Sequence, residues 1–187
     1  MNSAFRVLTI ALCMSLAFGA SIAIAQMSPE ELAKESEAFC ATTASTKPTP
    51  GLIVEKVEKA AALVQKDGKN AFSKFKGKDS EFIFAGTYIW IHDGSGTMMM
   101  HPIKYKMEGQ NYIDLKDTNG KLFFTSMNEI AKAKGSGWVD YMWPKPGEKS
   151  LSQKVSYVKL VKVGGEDLIL GCGVYDMSAA DLQQVLK

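Results

Sequence analysis

Thr87-Tyr88-Ile89-Trp90-Ile91-His92, followed by Asp93-Gly94-Ser95-Gly96 and then Thr97-Met98-Met99-Met100-His101, is the stretch whose reading decides the fold. Six β-branched or aromatic residues, a turn of Gly, Asp and Ser, and a second short run together predict a β-hairpin. Pro102 closes it, because proline cannot donate to a strand ladder. Side chains alternate along a strand, so Tyr88, Trp90 and His92 share one face and Ile89 and Ile91 the other. The isoleucines suit a dry face packed on helices. Large rings with polar tips suit the wall of a pocket or a plain core.

Upstream of the hairpin the period is helical. Ser28-Pro29-Glu30-Glu31 reads as an N-cap, a proline in the first turn and acidic residues beside the helix dipole. The first helix runs to about Thr43. Thr49-Pro50 starts a second, on which Ile53, Val57, Ala60, Ala61 and Val64 form one apolar face. A short helix around Ala71–Phe75 follows. Phe82-Ile83-Phe84 is again β-branched and aromatic.

Downstream, residues 103–120 read as loop and Phe123–Lys134 as a helix. Trp138–Trp143, Lys154–Val163 and Asp167–Tyr175 are three more strands, and Ser178 caps a final short helix. Helices, a hairpin, a helix-bearing crossover and a three-stranded meander predict an α+β domain. Its antiparallel sheet has five strands, with the N-terminal helices on one face and the 103–134 crossover covering a cavity on the other.

The chain has 187 residues with 22 Lys and Arg against 20 Asp and Glu, a net charge of +2. That is the size of one domain, and nothing in the charge pattern points to nucleic acid. Arg6 precedes the apolar run Val7–Phe18, and Ala23-Ile24-Ala25 supplies the small residues of a signal-peptidase site. Residues 1–25 are therefore expected to be a signal peptide cleaved after Ala25, leaving a periplasmic or secreted domain over 26–187 with no membrane span. Its remaining cysteines, Cys40 and Cys172, are expected to be buried free thiols rather than a disulfide.

Several blocks carry a resemblance. Tyr88-Ile89-Trp90-Ile91-His92-Asp93-Gly94, His101-Pro102, Gly109-Gln110-Asn111 leading to Asp114-Leu115-Lys116-Asp117, Gly137–Pro144, Ser156-Tyr157-Val158-Lys159 and Gly171-Cys172-Gly173-Val174-Tyr175 follow one another in order. In these blocks the chain resembles the single Cache domain, type 2. The resemblance implies a PAS-like extracytoplasmic sensor that binds a small molecule, often a short carboxylate such as acetate, propionate, pyruvate or lactate. Such domains usually sit in the ectodomain of chemoreceptors or sensor kinases; this chain departs from that pattern, and the loaded domain is expected to be presented to a membrane chemoreceptor, sensor kinase or transporter. No cofactor is called for, and no enzyme is expected: the chain has no Gly-x-Ser-x-Gly, no His-Glu-x-x-His, no P-loop and no Cys-x-x-Cys-His.

The resemblance favours pocket over core for Tyr88 and Trp90, and it places His101 at the cavity mouth. A lone histidine has structural readings too, but an imidazole can donate to a carboxylate and, near its pKa, add charge. Tyr141 shares a row with Val139 and Trp143, and its hydroxyl can donate to an anion. Lys154 opens the next strand and could balance a buried carboxylate; its alternative is a solvated strand end. Tyr88, Trp90, His101, Tyr141 and Lys154 are thus the expected ligand set. Two other readings stand beside it: a copper-handling site built on Met98–His101, and an interaction domain with no ligand.

Overall fold

The computed structural model describes residues 27–186, so the expected signal segment 1–25 lies outside the described residues. Helix α1, Pro29–Thr42, starts in a capping box: Ser28 Oγ accepts the Glu31 N–H and Glu31 accepts the Ser28 N–H. Helix α2, Pro50–Asp67, is capped by Thr49, whose hydroxyl accepts the Leu52 N–H. Its buried stripe is Ile53, Val57, Ala60, Ala61 and Val64, the face that the spacing predicts. A 3-10 helix, Gly68–Phe75, follows.

The strands are β1 Ile83–Phe84, β2 Thr87–Asp93, β3 Met98–Met100, β4 Ser136–Pro144, β5 Leu151–Val163 and β6 Glu166–Tyr175. Helix α3, Phe123–Lys134, lies between β3 and β4, and helix α4, Ala179–Val185, ends the described chain. All pairings are antiparallel, in the order β1-β2-β6-β5-β4, with β3 on the outer edge of β2. The five expected strands are joined by β1, a two-residue sixth. Ala85 and Gly86 both adopt positive φ, 46° and 72°, and fold β1 back onto the start of β2. That is type I′ turn geometry, reached here without the usual Asn-Gly or Asp-Gly signal.

Two apolar clusters flank the sheet. On one side α2 packs over Ile89, Ile91, Val161, Leu168, Leu170 and Cys172. On the other, α3 brings Phe123, Phe124, Met127 and Ala131 against Tyr88, Trp90, Val139, Tyr141 and Val158. The split within β2 is the one its alternation predicts. The N-terminal helices, however, do not share a face. Cys40 of α1 belongs to the second cluster, with Ile83 and Tyr88. The reason is side-chain size. The residues α1 buries are Ala33, Ser36 and Cys40, too small to fill a sheet face but able to approach an edge closely. Ser36 Oγ there accepts the Gly77 N–H at 2.7 Å.

Candidate functional site

Strand β6 makes the floor of the site. Its Gly171 stands opposite Trp90 of β2, and its Gly173 opposite Ser156 of β5. A Cβ on Gly171 would collide with the Trp90 benzo ring, and one on Gly173 would come within 2.8 Å of Lys154 Cε and 2.9 Å of the Val155 carbonyl oxygen. The two glycines therefore let side chains from both neighbouring strands lie flat across β6. Trp90 crosses from one side and Lys154 from the other. Cys172, between them, points to the α2 cluster.

Lys154 is 1% exposed. Its Nζ lies 4.7 Å from the ring centre of Tyr88, 5.0 Å from that of Trp90 and 4.8 Å from that of Tyr175. Among the described residues no carboxylate pairs with it. Burial pushes its ammonium down to about 7, and the neighbouring charge of Lys104 disfavours it further. Three aromatic faces return part of the lost hydration.

His101, 3% exposed, stands just after β3 with its ring 5.0 Å from that of Tyr88. Its Nδ1 accepts the N–H groups of Ile103 (3.3 Å) and Lys104 (2.9 Å). A nitrogen that accepts carries no proton, so the ring is neutral and its proton is on Nε2. Burial, with the charges of Lys154, Lys104 and Lys76, holds its pKa well below the ordinary value. The expectation that this imidazole adds charge is therefore corrected: it is a neutral donor, and the cation is Lys154.

Tyr141 stacks on Phe123 at 4.5 Å between ring centres, and its hydroxyl is 3.0 Å from Ser156 Oγ. When Ser156 donates, the Tyr141 proton is free to point elsewhere. Burial keeps the phenols of Tyr88 and Tyr141 protonated. The Trp90 indole N–H, by contrast, is already used. It donates to His92 Nδ1 at 3.3 Å, and His92 Nε2 then donates to Asn128 Oδ1 at 3.0 Å. Asn128 in turn donates to the Gly94 carbonyl at 3.2 Å. Trp90 is thus an apolar wall, held by a polar chain behind it.

All five expected residues, Tyr88, Trp90, His101, Tyr141 and Lys154, line one cavity. Met98, Met107, Phe123, Phe124 and Trp143 complete the lining. The walls are apolar, there is one cation, and the other polar groups are neutral donors; no acid lines the cavity. Sequence reasoning did not single out Phe123 and Phe124 as walls, His92 as a support or the two glycines as a floor. The alternating Gly171-Cys172-Gly173 was the available signal for the floor, since small residues two apart in a strand vacate one face.

The methionine run is dispersed. Met98 belongs to the cavity side, whereas Met100 belongs to the α2 cluster. A register shift opposite Ile91 and His92 separates them. Cys40 and Cys172 are buried free thiols. The Thr87 carbonyl accepts from Cys40 at 3.7 Å, and the Thr87 hydroxyl lies 3.8 Å from Cys172 Sγ. Burial pushes the thiols up to about 11 and about 12, so both stay protonated.

The family model described as Single Cache domain 2 matches residues 53–185. Methyl-accepting chemotaxis protein McpP of Pseudomonas putida is 39% identical over 88 residues, 47% of this chain and 16% of that protein. Sensor histidine kinase MctS of Rhizobium johnstonii is 32% identical over 88 residues, 47% of this chain and 18% of that protein. The matched region is thus less than a fifth of either relative. A solved methyl-accepting chemotaxis protein from Vibrio parahaemolyticus superposes with a TM-score of 0.56 at 21% identity, covering 76% of this chain and 93% of that one, and shares the fold. A Cache chemosensory domain solved for its recognition of carboxylic acids superposes with a TM-score of 0.49 at 30% identity, covering 78% of this chain and 93% of that one.

Proposed function

The chain belongs to the single Cache domain 2 family of sensor domains, and from that membership and the chemistry of its cavity we propose that it is an extracytoplasmic domain that binds a short carboxylate. The observation that carries the reading is the Lys154 ammonium, buried under three rings with no carboxylate among the described residues to pair with. A buried cation in that state is costly, and a bound anion repays the cost through a charge-assisted bond. The Nε2–H of His101 and the hydroxyls of Tyr88 and Tyr141 supply neutral donors for the remaining carboxylate lone pairs. The apolar, aromatic walls around one cation and a few neutral donors favour short monocarboxylates of the acetate, propionate, pyruvate and lactate type over polar ligands such as sugars.

The ligand is held and released unchanged. Ser156 is bonded to Tyr141, and both thiols are kept protonated, so no activated nucleophile faces the cavity. Among the described residues no helix is long and apolar enough to cross a membrane. The loaded domain would act on a membrane chemoreceptor, sensor kinase or transporter, after export directed by residues 1–25. Mass spectrometry of small molecules released from the purified, denatured protein tests the ligand class, with a thermal-shift screen beside it. Carboxylates should raise the melting temperature by mass action. Stabilisation by amines or neutral sugars alone overturns the reading.

A further inference from the structure

His92 is fully buried and does not line the cavity, yet it is bonded to a residue that does. The Trp90 indole is constrained on two sides. Its N–H is tied to His92 Nδ1 at 3.3 Å, and its benzo ring rests on the bare backbone of Gly171, where a Cβ would stand only 2.6 Å from Cε2 and 2.7 Å from Cη2. The same ring lies 5.0 Å from Lys154 Nζ. An anion paired with that ammonium therefore has the indole beside its first carbons. Where the ring sits decides how much tail fits.

We propose that His92 is a positioning residue that sets the longest acyl tail the cavity accepts, by holding the Trp90 indole flat over Gly171. The inference rests on the reading of the cavity as a carboxylate site. His92 is anchored in turn by Asn128 of α3, whose amide donates to the Gly94 carbonyl, so the clamp joins β2, α3 and the β2–β3 turn. Loss of the His92 acceptor frees the indole to swing and lengthens the permitted tail. A methyl group at Gly171 acts in the opposite sense, because it lifts the ring off β6 into the cavity.

The test is isothermal titration of the full chain with formate, acetate, propionate, butyrate and valerate, below neutral pH. His92→Leu removes the acceptor. His92→Asn returns an acceptor oxygen close to the Nδ1 position. One methylene in an apolar pocket is worth about tenfold or more in affinity. His92→Leu should therefore cut the preference for acetate over valerate by about tenfold or more, and His92→Asn should restore most of it. Gly171→Ala should move the preference toward shorter acids. A lower melting temperature for His92→Leu with an unchanged acid series would show a merely structural role and overturn the inference. If His92→Leu does not fold, an unchanged series in Gly171→Ala overturns it, because the position of the indole over β6 then does not set the tail length. Failure of the unaltered protein to bind any of the acids would instead defeat the carboxylate reading itself.

Discussion

At the scale of single residues, Lys154 carries the clearest consequences. Its pKa is about 7 in the fold, whereas a lysine in an unfolded chain titrates near about 10.4. Between those values the unfolded chain holds a proton that the fold does not, so stability without ligand rises with pH across that window. Below about pH 7 the full cost of the buried cation is present. Lys154→Met should remove this rise and raise the melting temperature of the unliganded protein at about pH 6, as chemical or thermal denaturation will show. Carboxylate affinity should run the other way. It should fall as pH rises above about 7, when the ammonium loses its proton. The methionine variant should bind about tenfold more weakly or worse below that pH, the loss of one charge-assisted bond of about 1.5–3 kcal/mol.

His101 separates two roles in one ring. His101→Ala orphans the Ile103 and Lys104 N–H groups and should cost about 1–3 kcal/mol of stability as well as affinity. His101→Asn puts an acceptor where Nδ1 stands but removes the Nε2–H. It should keep most of the stability and still lose about tenfold in carboxylate affinity, measured by calorimetry beside a denaturation curve. Equal affinity in His101→Asn and the parent would remove His101 from the binding set. The sequence placed a histidine at this point of the fold. It had no means to say that Nδ1 would accept two backbone bonds, because that depends on the turn after Pro102.

At the scale of elements, strand β6 has two faces with different tasks. Leu168, Leu170, Cys172 and Val174 pack under α2, while Gly171 and Gly173 on the other face stay low enough to be crossed. Gly173→Ala should destabilise the protein by about 1–3 kcal/mol, since the nearest obstacles include the backbone carbonyl of Val155 at 2.9 Å, which cannot swing aside. It should also weaken carboxylate binding, because Lys154 Cε must move. Denaturation and calorimetry on the same sample check both. Period-2 alternation made the two faces of β2 legible: Ile89 and Ile91 to the helix, Tyr88 and Trp90 to the cavity. The same rule applied to β6 yields a face of glycines, and an absent side chain does not announce what will lie over it. The helices show a similar limit. The stripe on α2 was readable because five apolar residues repeat at helical spacing, whereas α1 buries small residues that fit an edge as well as a face.

At the scale of the whole molecule, the two thiols report on cooperativity. Cys40 and Cys172 belong to the clusters on opposite sides of the sheet, and both are fully buried. Neither should be alkylated in the native protein, and both should react together once the domain unfolds. A carboxylate at about 100 times its dissociation constant adds about 2.7 kcal/mol of stability and should slow both reactions in parallel. Mass spectrometry of timed alkylation checks this; early modification of Cys40 alone would mean that α1 opens separately from the sheet.

The sequence by itself determined the α+β class, the antiparallel meander, the two faces of β2 and the five side chains gathered around one cavity. Each of these follows from local periodicity, turn chemistry or a family pattern carried in short blocks. Only the tertiary structure decided the charge state of the site. A lysine is an ordinary cation until three rings and no carboxylate surround it, and a histidine is a switch until its Nδ1 is spent on backbone N–H groups. Which groups surround a side chain is set by cross-strand register and by the helix laid on the sheet. Those are long-range pairings, and burial and neighbouring charge act through them rather than through the chain.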